Sequence, residues 1–118
     1  VDDEFQAISD VVRGADLLAS TPRQIWLQHC LGYATPRYAH LPVACNAVGE
    51  KLSKQTLAPA LALGQAAAQL VRALNFLGQK APTALAAAPV ATVWDWALAH
   101  WSFAAIPRQP SILLANPR

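Results

Sequence analysis

The residues best suited to chemistry sit in one stretch, Gly49-Glu50-Lys51-Leu52-Ser53-Lys54-Gln55: two lysines with a serine between them, in a loop opened by glycine. Such a loop can grip a polyphosphate. A lysine ammonium is a mobile point charge that can follow phosphate oxygens, and the Ser53 hydroxyl and the loop N–H groups add hydrogen bonds. Where a reaction builds negative charge on a phosphate and on departing pyrophosphate, fixed cations lower the barrier. Lys54 is the first candidate for that role and Lys51 the second, with Ser53 beside them. Taken alone, a Lys-x-x-Lys pair is also what a solvated turn looks like, so the context has to decide. Other phosphate motifs are absent, since neither GxxxxGK[ST] nor GxGxxG occurs.

The elements that must hold this loop can be read from pattern. Ile8 to Arg13 has the β-branched character of a short buried strand and stops at Gly14, which puts Arg13 at a strand end. Ser20-Thr21-Pro22 offers an N-cap and a first-turn proline for a helix over about 21–31. Pro36 and Pro42 punctuate an extended segment, and Val43-Ala44-Cys45 reads as a strand running into a turn at Asn46 to Gly49. Beyond the loop the composition turns to alanine and leucine, and Leu70, Val71, Leu74 and Leu77 predict a helix over 65–77. Pro82 and Pro89 mark two further helix starts, the second leading Val90 to Trp101. Trp94, Ala97, Leu98 and Trp101 share one face of that helix, whereas Trp96 lies about 200° from Trp94 and must find another surface, on a neighbouring helix. The tail from Ser102 has three prolines and no period, so it is expected to be an irregular strap. Val1-Asp2-Asp3-Glu4 reads as the end of a strand, with its three acids pointing alternately.

The bulk properties of the 118 residues set bounds. A hydrophobic fraction of 54% is ample for a core, and charged residues are only 14%, against about 25% in ordinary soluble domains. An unusual share of the surface should therefore be apolar, as though a partner surface were missing. A net charge of +2 makes no nucleic-acid case by itself, so any RNA contact must be local. Cys30 and Cys45 have no CxxC spacing and no His/Cys cluster nearby, which points to free thiols rather than zinc. No run approaches the roughly 18 apolar residues of a membrane helix. The acidic start is unlike a signal peptide, and a cytoplasmic location is expected. With no methionine anywhere, the chain reads as beginning mid-fold, a C-terminal fragment.

The lysine loop resembles the second (KMSKS-type) signature of class I aminoacyl-tRNA synthetases. Val1-Asp2-Asp3, Val12-Arg13-Gly14-Ala15-Asp16-Leu17-Leu18, Ser20-Thr21-Pro22-Arg23-Gln24, His40-Leu41-Pro42 and Gly49 to Lys54 follow the glutamyl-tRNA synthetase catalytic core in order and spacing. The later pattern, Phe76-Leu77-Gly78-Gln79, Ala87 to Val90, Asp95 to Trp101 and Ile106-Pro107, is similar to the bacterial glutamyl-Q tRNA(Asp) synthetases. The resemblance implies a mainly α fold with a small β component: the C-terminal part of a Rossmann-like catalytic core over 1–55 and a helical subdomain over 56–118.

It also implies ATP-dependent activation of glutamate and its transfer to queuosine in the anticodon of tRNA(Asp). In that family the arginine matching Arg13 binds glutamate, as a guanidinium fork suits a carboxylate. A structural pairing of Arg13 with Asp10 or Asp16 is the other reading. The stretch Val43-Ala44 matches the strand whose backbone meets adenine. His40 invites a catalytic reading, but the adjacent Leu-Pro and the family pattern favour a structural or ATP-lining role. The implied partners are glutamate, ATP with Mg2+, tRNA(Asp) and the N-terminal half of the same enzyme. The HIGH-type signature, the rest of the amino-acid pocket and a zinc-binding insertion belong to that half, and without it the segment is expected to be inactive. Arg72, Lys80 and Arg108 are the cations available to RNA after the loop. A truncated ordinary glutamyl-tRNA synthetase and a non-catalytic RNA- or protein-binding helical module are the alternatives.

Overall fold

A computed structural model describes Val1–Ser53, Gln55, Leu57, Ala58 and Ala60–Leu114. The chain forms two compact units, one of Val1–Lys51 with Gln109–Leu114 and one built from Leu52–Arg108. Small parallel sheets and short helices make up the first, and helices the second.

The first unit is built on a strand pair joined through a helix, and its first strand is half-exposed rather than buried as expected, since Asp10 and Val12 face outward. β1 (Asp10–Gly14) runs parallel to β2 (Arg37–Leu41), with Asp10 opposite Arg37 and Arg13 opposite His40. Between them come a 3₁₀ helix (Ala15–Ser20) and α2 (Thr21–Cys30), the crossover that parallel strands require. Ser20 occupies the cap position but makes no side-chain cap bond. Pro22 in the first turn needs no N–H partner, so the helix starts without that bond.

The opening residues depart from the expected strand end. Asp2–Phe5 form a single helical turn, α1, with Phe5 N–H donating to the Val1 carbonyl at 2.9 Å. Its three acids lie by unsatisfied N–H groups, where negative charge is favoured, and the stretch has no β-branched residue to hold it extended. The tail also departs from expectation. Ser111–Leu113 forms β4, parallel to β3 (Val43–Cys45) with Val43 opposite Ser111 and Cys45 opposite Leu113. Val43 N–H donates to the Pro110 carbonyl at 3.0 Å, and Leu114 N–H to the Cys45 carbonyl at 2.9 Å. Pro110 thus enters the ladder as an acceptor only, the one role a proline can play there.

In the second unit α3 (Ala66–Phe76) and α4 (Val90–His100) pack through a core of Val71, Leu74, Ala81, Val93 and Ala97. Val93 is its most enclosed member, at 1% exposure. Pro89 opens α4 as expected, but Pro82 opens only a 3₁₀ helix, Thr83–Ala87. Pro89 restricts Ala88 to extended backbone and stops that turn before it can lengthen. Trp96 is partly buried on the core and stacks on His100, ring centroids 4.7 Å apart. The face carrying Trp94 and Leu98 is exposed. At the end of α3, Gly78 adopts φ +75°, and Gln79 N–H donates to the Leu74 carbonyl at 2.9 Å. The buried Gln79 amide then clamps Ser102, accepting from its N–H at 2.8 Å and donating to its carbonyl at 3.1 Å.

The expectation of an apolar surface holds for both units taken separately: Val12, Trp26, Leu98 and Phe103 are all more than half exposed. Cys30 and Cys45 are free thiols, the first exposed and the second buried. Among the described residues no helix is long and apolar enough to cross a membrane.

Candidate active site

Arg13 is the centre of a polar cluster that the β1–β2 register builds. Alternate residues share a strand face, so Arg13 stands on one face of the sheet with Tyr38 and His40. Its Nη2 donates to Thr21 Oγ1 at 2.8 Å, its Nε to His40 Nε2 at 3.3 Å, and its guanidinium carbon lies 5.1 Å from the centre of the Tyr38 ring. Such stacking is worth about 0.5–2 kcal/mol, depending on desolvation. The Tyr38 hydroxyl accepts a bond of 2.9 Å from Gln28 Nε2, one helical turn and more beyond Thr21 on α2. The first and last turns of α2 therefore both secure the arginine's surroundings.

Neither Asp10 nor Asp16 takes Arg13. Asp10 pairs with Arg37 at 2.7 Å, and Asp16 with Lys51 at 2.5 Å. The Arg37 hydrogen bond, helped by Ser9, holds the Asp10 carboxyl below its ordinary range, and the Lys51 hydrogen bond does the same for Asp16. Among the described residues no carboxylate lies within ion-pair distance of Arg13. A cavity of about 210 Å³ opens beside it, lined also by Asp3, Gln24, Gln28, Tyr33 and Tyr38. Gln28 Oε1 is sequestered without a hydrogen-bond partner among the described residues.

The lysine loop grows from the end of β3. Asn46 Oδ1 accepts from Val48 N–H at 3.1 Å and Glu50 N–H at 2.9 Å, while its Nδ2 donates to Glu50 Oε2 at 3.0 Å. Gly49 takes φ +86°, a conformation costly for any side chain with a Cβ, and closes the turn onto the Asn46 carbonyl at 3.0 Å. An antiparallel bridge between Cys45 and Lys51 completes the base. The ion pair to Asp16 then ties Lys51 to the segment just after Arg13. Gly14 makes room for it, because a Cβ there would run into Asp16 Oδ1 and lie 3.0 Å from Val43 Cγ1.

The sequence-predicted residues therefore fall as follows. Arg13, Val43, Ala44 and Lys51 all belong to the first unit, and Lys51 is joined to Asp16. Ser53 is half-buried, and Lys54 lies outside the described residues. Residues 43 and 45 turn their backbone groups toward β4, so in an alternating strand those of Ala44 face the other edge, where the Cys45–Lys51 bridge forms. Arg72, Lys80 and Arg108 are exposed. Sequence reasoning missed Thr21, Tyr38, Gln28 and Asp16 as partners. The spacing of Thr21 and Gln28 along one helix face was visible, but the strand register that sets them against Arg13 was not.

Residues 1–80 match the family described as tRNA synthetases class I (E and Q), catalytic domain. The chain belongs to that family. Among curated proteins, this synthetase chain is 68% identical over 97% of its length to the glutamyl-Q tRNA(Asp) synthetase of Dechloromonas aromatica (strain RCB). It is 58% identical over 92% of its length to the protein of that name from Aromatoleum aromaticum, and 51% identical over 93% to that from Chromobacterium violaceum. It spans 38%, 35% and 36% of these relatives' lengths. A class I synthetase catalytic domain is consistent with the small parallel sheets and the helices between their strands.

Proposed function

We propose that this chain is part of an ATP-dependent ligase that activates glutamate and transfers it to queuosine in the anticodon of tRNA(Asp). The observation that carries the reading is the 68% identity to a glutamyl-Q tRNA(Asp) synthetase across nearly the whole chain. The site geometry supports it. Arg13, without a carboxylate partner among the described residues and beside a cavity, suits the glutamate substrate. Ala44, with Val43 beside it, offers backbone groups to adenine. Lys51, Ser53 and Lys54 serve the phosphates.

In this reading the glutamate carboxylate attacks the α-phosphate of ATP, the bond to the β-phosphate breaks, and pyrophosphate leaves against the loop lysines. A ring hydroxyl of queuosine then attacks the acyl carbon, giving an ester and releasing AMP. Mg2+ enters with the nucleotide and neutralises phosphate charge. Among the described residues no three His, Cys, Asp or Glu side chains converge on a point, so nothing described fits a zinc ion. Cytoplasmic work on tRNA belongs to the proposal, as does inactivity of Val1–Arg118 by itself.

The test is glutamate-dependent ATP–pyrophosphate exchange by the protein in its full natural length without tRNA, followed by transfer of labelled glutamate to queuosine-containing tRNA(Asp). Label on the anticodon base supports the reading. Label on the 3′ end replaces it with an ordinary glutamyl-tRNA synthetase. Salt-sensitive tRNA binding without exchange replaces it with a binding module.

A further inference from the structure

We infer that His40 is a positioning residue, which with Thr21 holds one edge of the Arg13 guanidinium so that the opposite edge receives the substrate carboxylate. The inference rests on the assignment of Arg13 to glutamate proposed above, and goes beyond it by naming which donors do the binding and what aims them.

A guanidinium has two edges that can take a carboxylate in two parallel bonds. One pairs Nε–H with the Nη2 hydrogen beside it, and the other pairs Nη1 with the outer hydrogen of Nη2. Here the first edge is committed. Nε points at His40 Nε2 at 3.3 Å and Nη2 at Thr21 Oγ1 at 2.8 Å, both within a partly buried cluster. Thr21 is itself buried, and its hydroxyl lies 3.0 Å from His40 Nε2 and 3.3 Å from the Leu17 carbonyl. Tyr38 below the guanidinium fixes the plane in which the fork lies. What remains for a ligand is the Nη1–Nη2 edge.

In this role His40 Nε2 presents its lone pair to the Arg13 Nε–H, which can only donate, and the ring proton sits on Nδ1. A proton on Nε2 would set two hydrogens against each other across 3.3 Å, beside a cation. His40 thus acts through Arg13 and takes no proton from substrate. Its place is fixed by the strand register, which sets it directly opposite Arg13, and by the near-parallel Tyr38 ring 6.2 Å away.

The test uses the protein in its full natural length and compares His40→Leu, which deletes the acceptor, with His40→Gln, whose amide oxygen can accept at similar reach. ATP–pyrophosphate exchange gives KM for glutamate, KM for ATP and kcat. The expected result for His40→Leu is a glutamate KM raised about tenfold, the size expected when one part-buried acceptor of a charged donor is lost, with KM for ATP within about twofold. His40→Gln should return glutamate KM to within about threefold of the parent. Thr21→Val against Thr21→Ser tests the same edge independently, and decides the matter if His40→Leu does not fold. The inference is overturned if His40→Leu and His40→Gln behave alike, or if both edge pairs leave glutamate KM unmoved while Arg13→Ala raises it. An unmoved KM in Arg13→Ala overturns the underlying assignment instead.

Discussion

Replacing Gly78 by alanine should cost the protein about 2–4 kcal/mol, and the structure shows why. At φ +75° the backbone sits in the left-handed region, where a Cβ costs roughly 1–2 kcal/mol. The new methyl would also run into the Ala105 carbonyl oxygen and lie 3.6 Å from Pro107 Cδ. A backbone carbonyl cannot rotate aside as a flexible side chain can, so an overpacking cost of about 1–3 kcal/mol is added. Gly64 is the matched control, because its backbone is not left-handed and nothing lies within 4 Å of a Cβ built there. Gly64→Ala should leave stability unchanged or raise it by up to about 1 kcal/mol through the unfolded chain. Thermal unfolding of the full-length variants should put Gly78→Ala at least about 4 °C below the parent, on a scale of about 2–4 °C per kcal/mol for domains of 150–250 residues. If the two variants melt together, the steric reasoning is wrong.

Val93→Ala should destabilise the helical unit by about 2–3 kcal/mol, since it removes two methyl groups' worth of contact from a site at 1% exposure; denaturant unfolding with an unchanged slope checks this. In the full-length protein Lys54→Ala should chiefly lower the rate of adenylate formation and Arg13→Ala chiefly raise glutamate KM. Unaltered activation kinetics in either variant would remove that residue from the site. The Asp16 carboxyl is held below its ordinary value of 3.8 by the Lys51 hydrogen bond, so the stabilisation it brings is complete above that value and is lost as pH falls through the lowered folded value. Carboxyl NMR should show the Asp16 midpoint below 3.8 in the parent and moved up toward it in Lys51→Ala; equal midpoints would mean the pair does not form in solution.

Local signals carried well where local physics decides. Pro22 and Pro89 start α2 and α4, and Val11 and Val12 lie inside β1 because β-branched side chains suit a pleated surface. The lysine loop was legible for the same reason, as Asn46 and Gly49 are turn residues with specific backbone duties. What failed depended on distant partners. Ser111-Ile112-Leu113, between prolines and without period, has nothing nearby to mark it as a strand, and only the edge of β3 makes it one. Arg13 was singled out through family likeness, while the residues that fix its fork became visible only with the register that places His40 across from it. The acidic start misled because three acids suit a first helical turn as well as a solvated strand end.

The pairing of β3 with β4 has a consequence for how the loop comes into being. Val43 leaves the ribosome well before its partner Ser111, so the strand from which the lysine loop hangs lacks its neighbour while the intervening chain emerges. Contacts that join distant positions form slowly, because the loop between them must close before any bond rewards it. The crossover of β1, α2 and β2 is nearer in sequence and can assemble first, giving the Arg13 cluster its shape ahead of the phosphate loop. On a ribosome the Arg13 cluster would thus be set before the lysine loop, and the two would mature in that order.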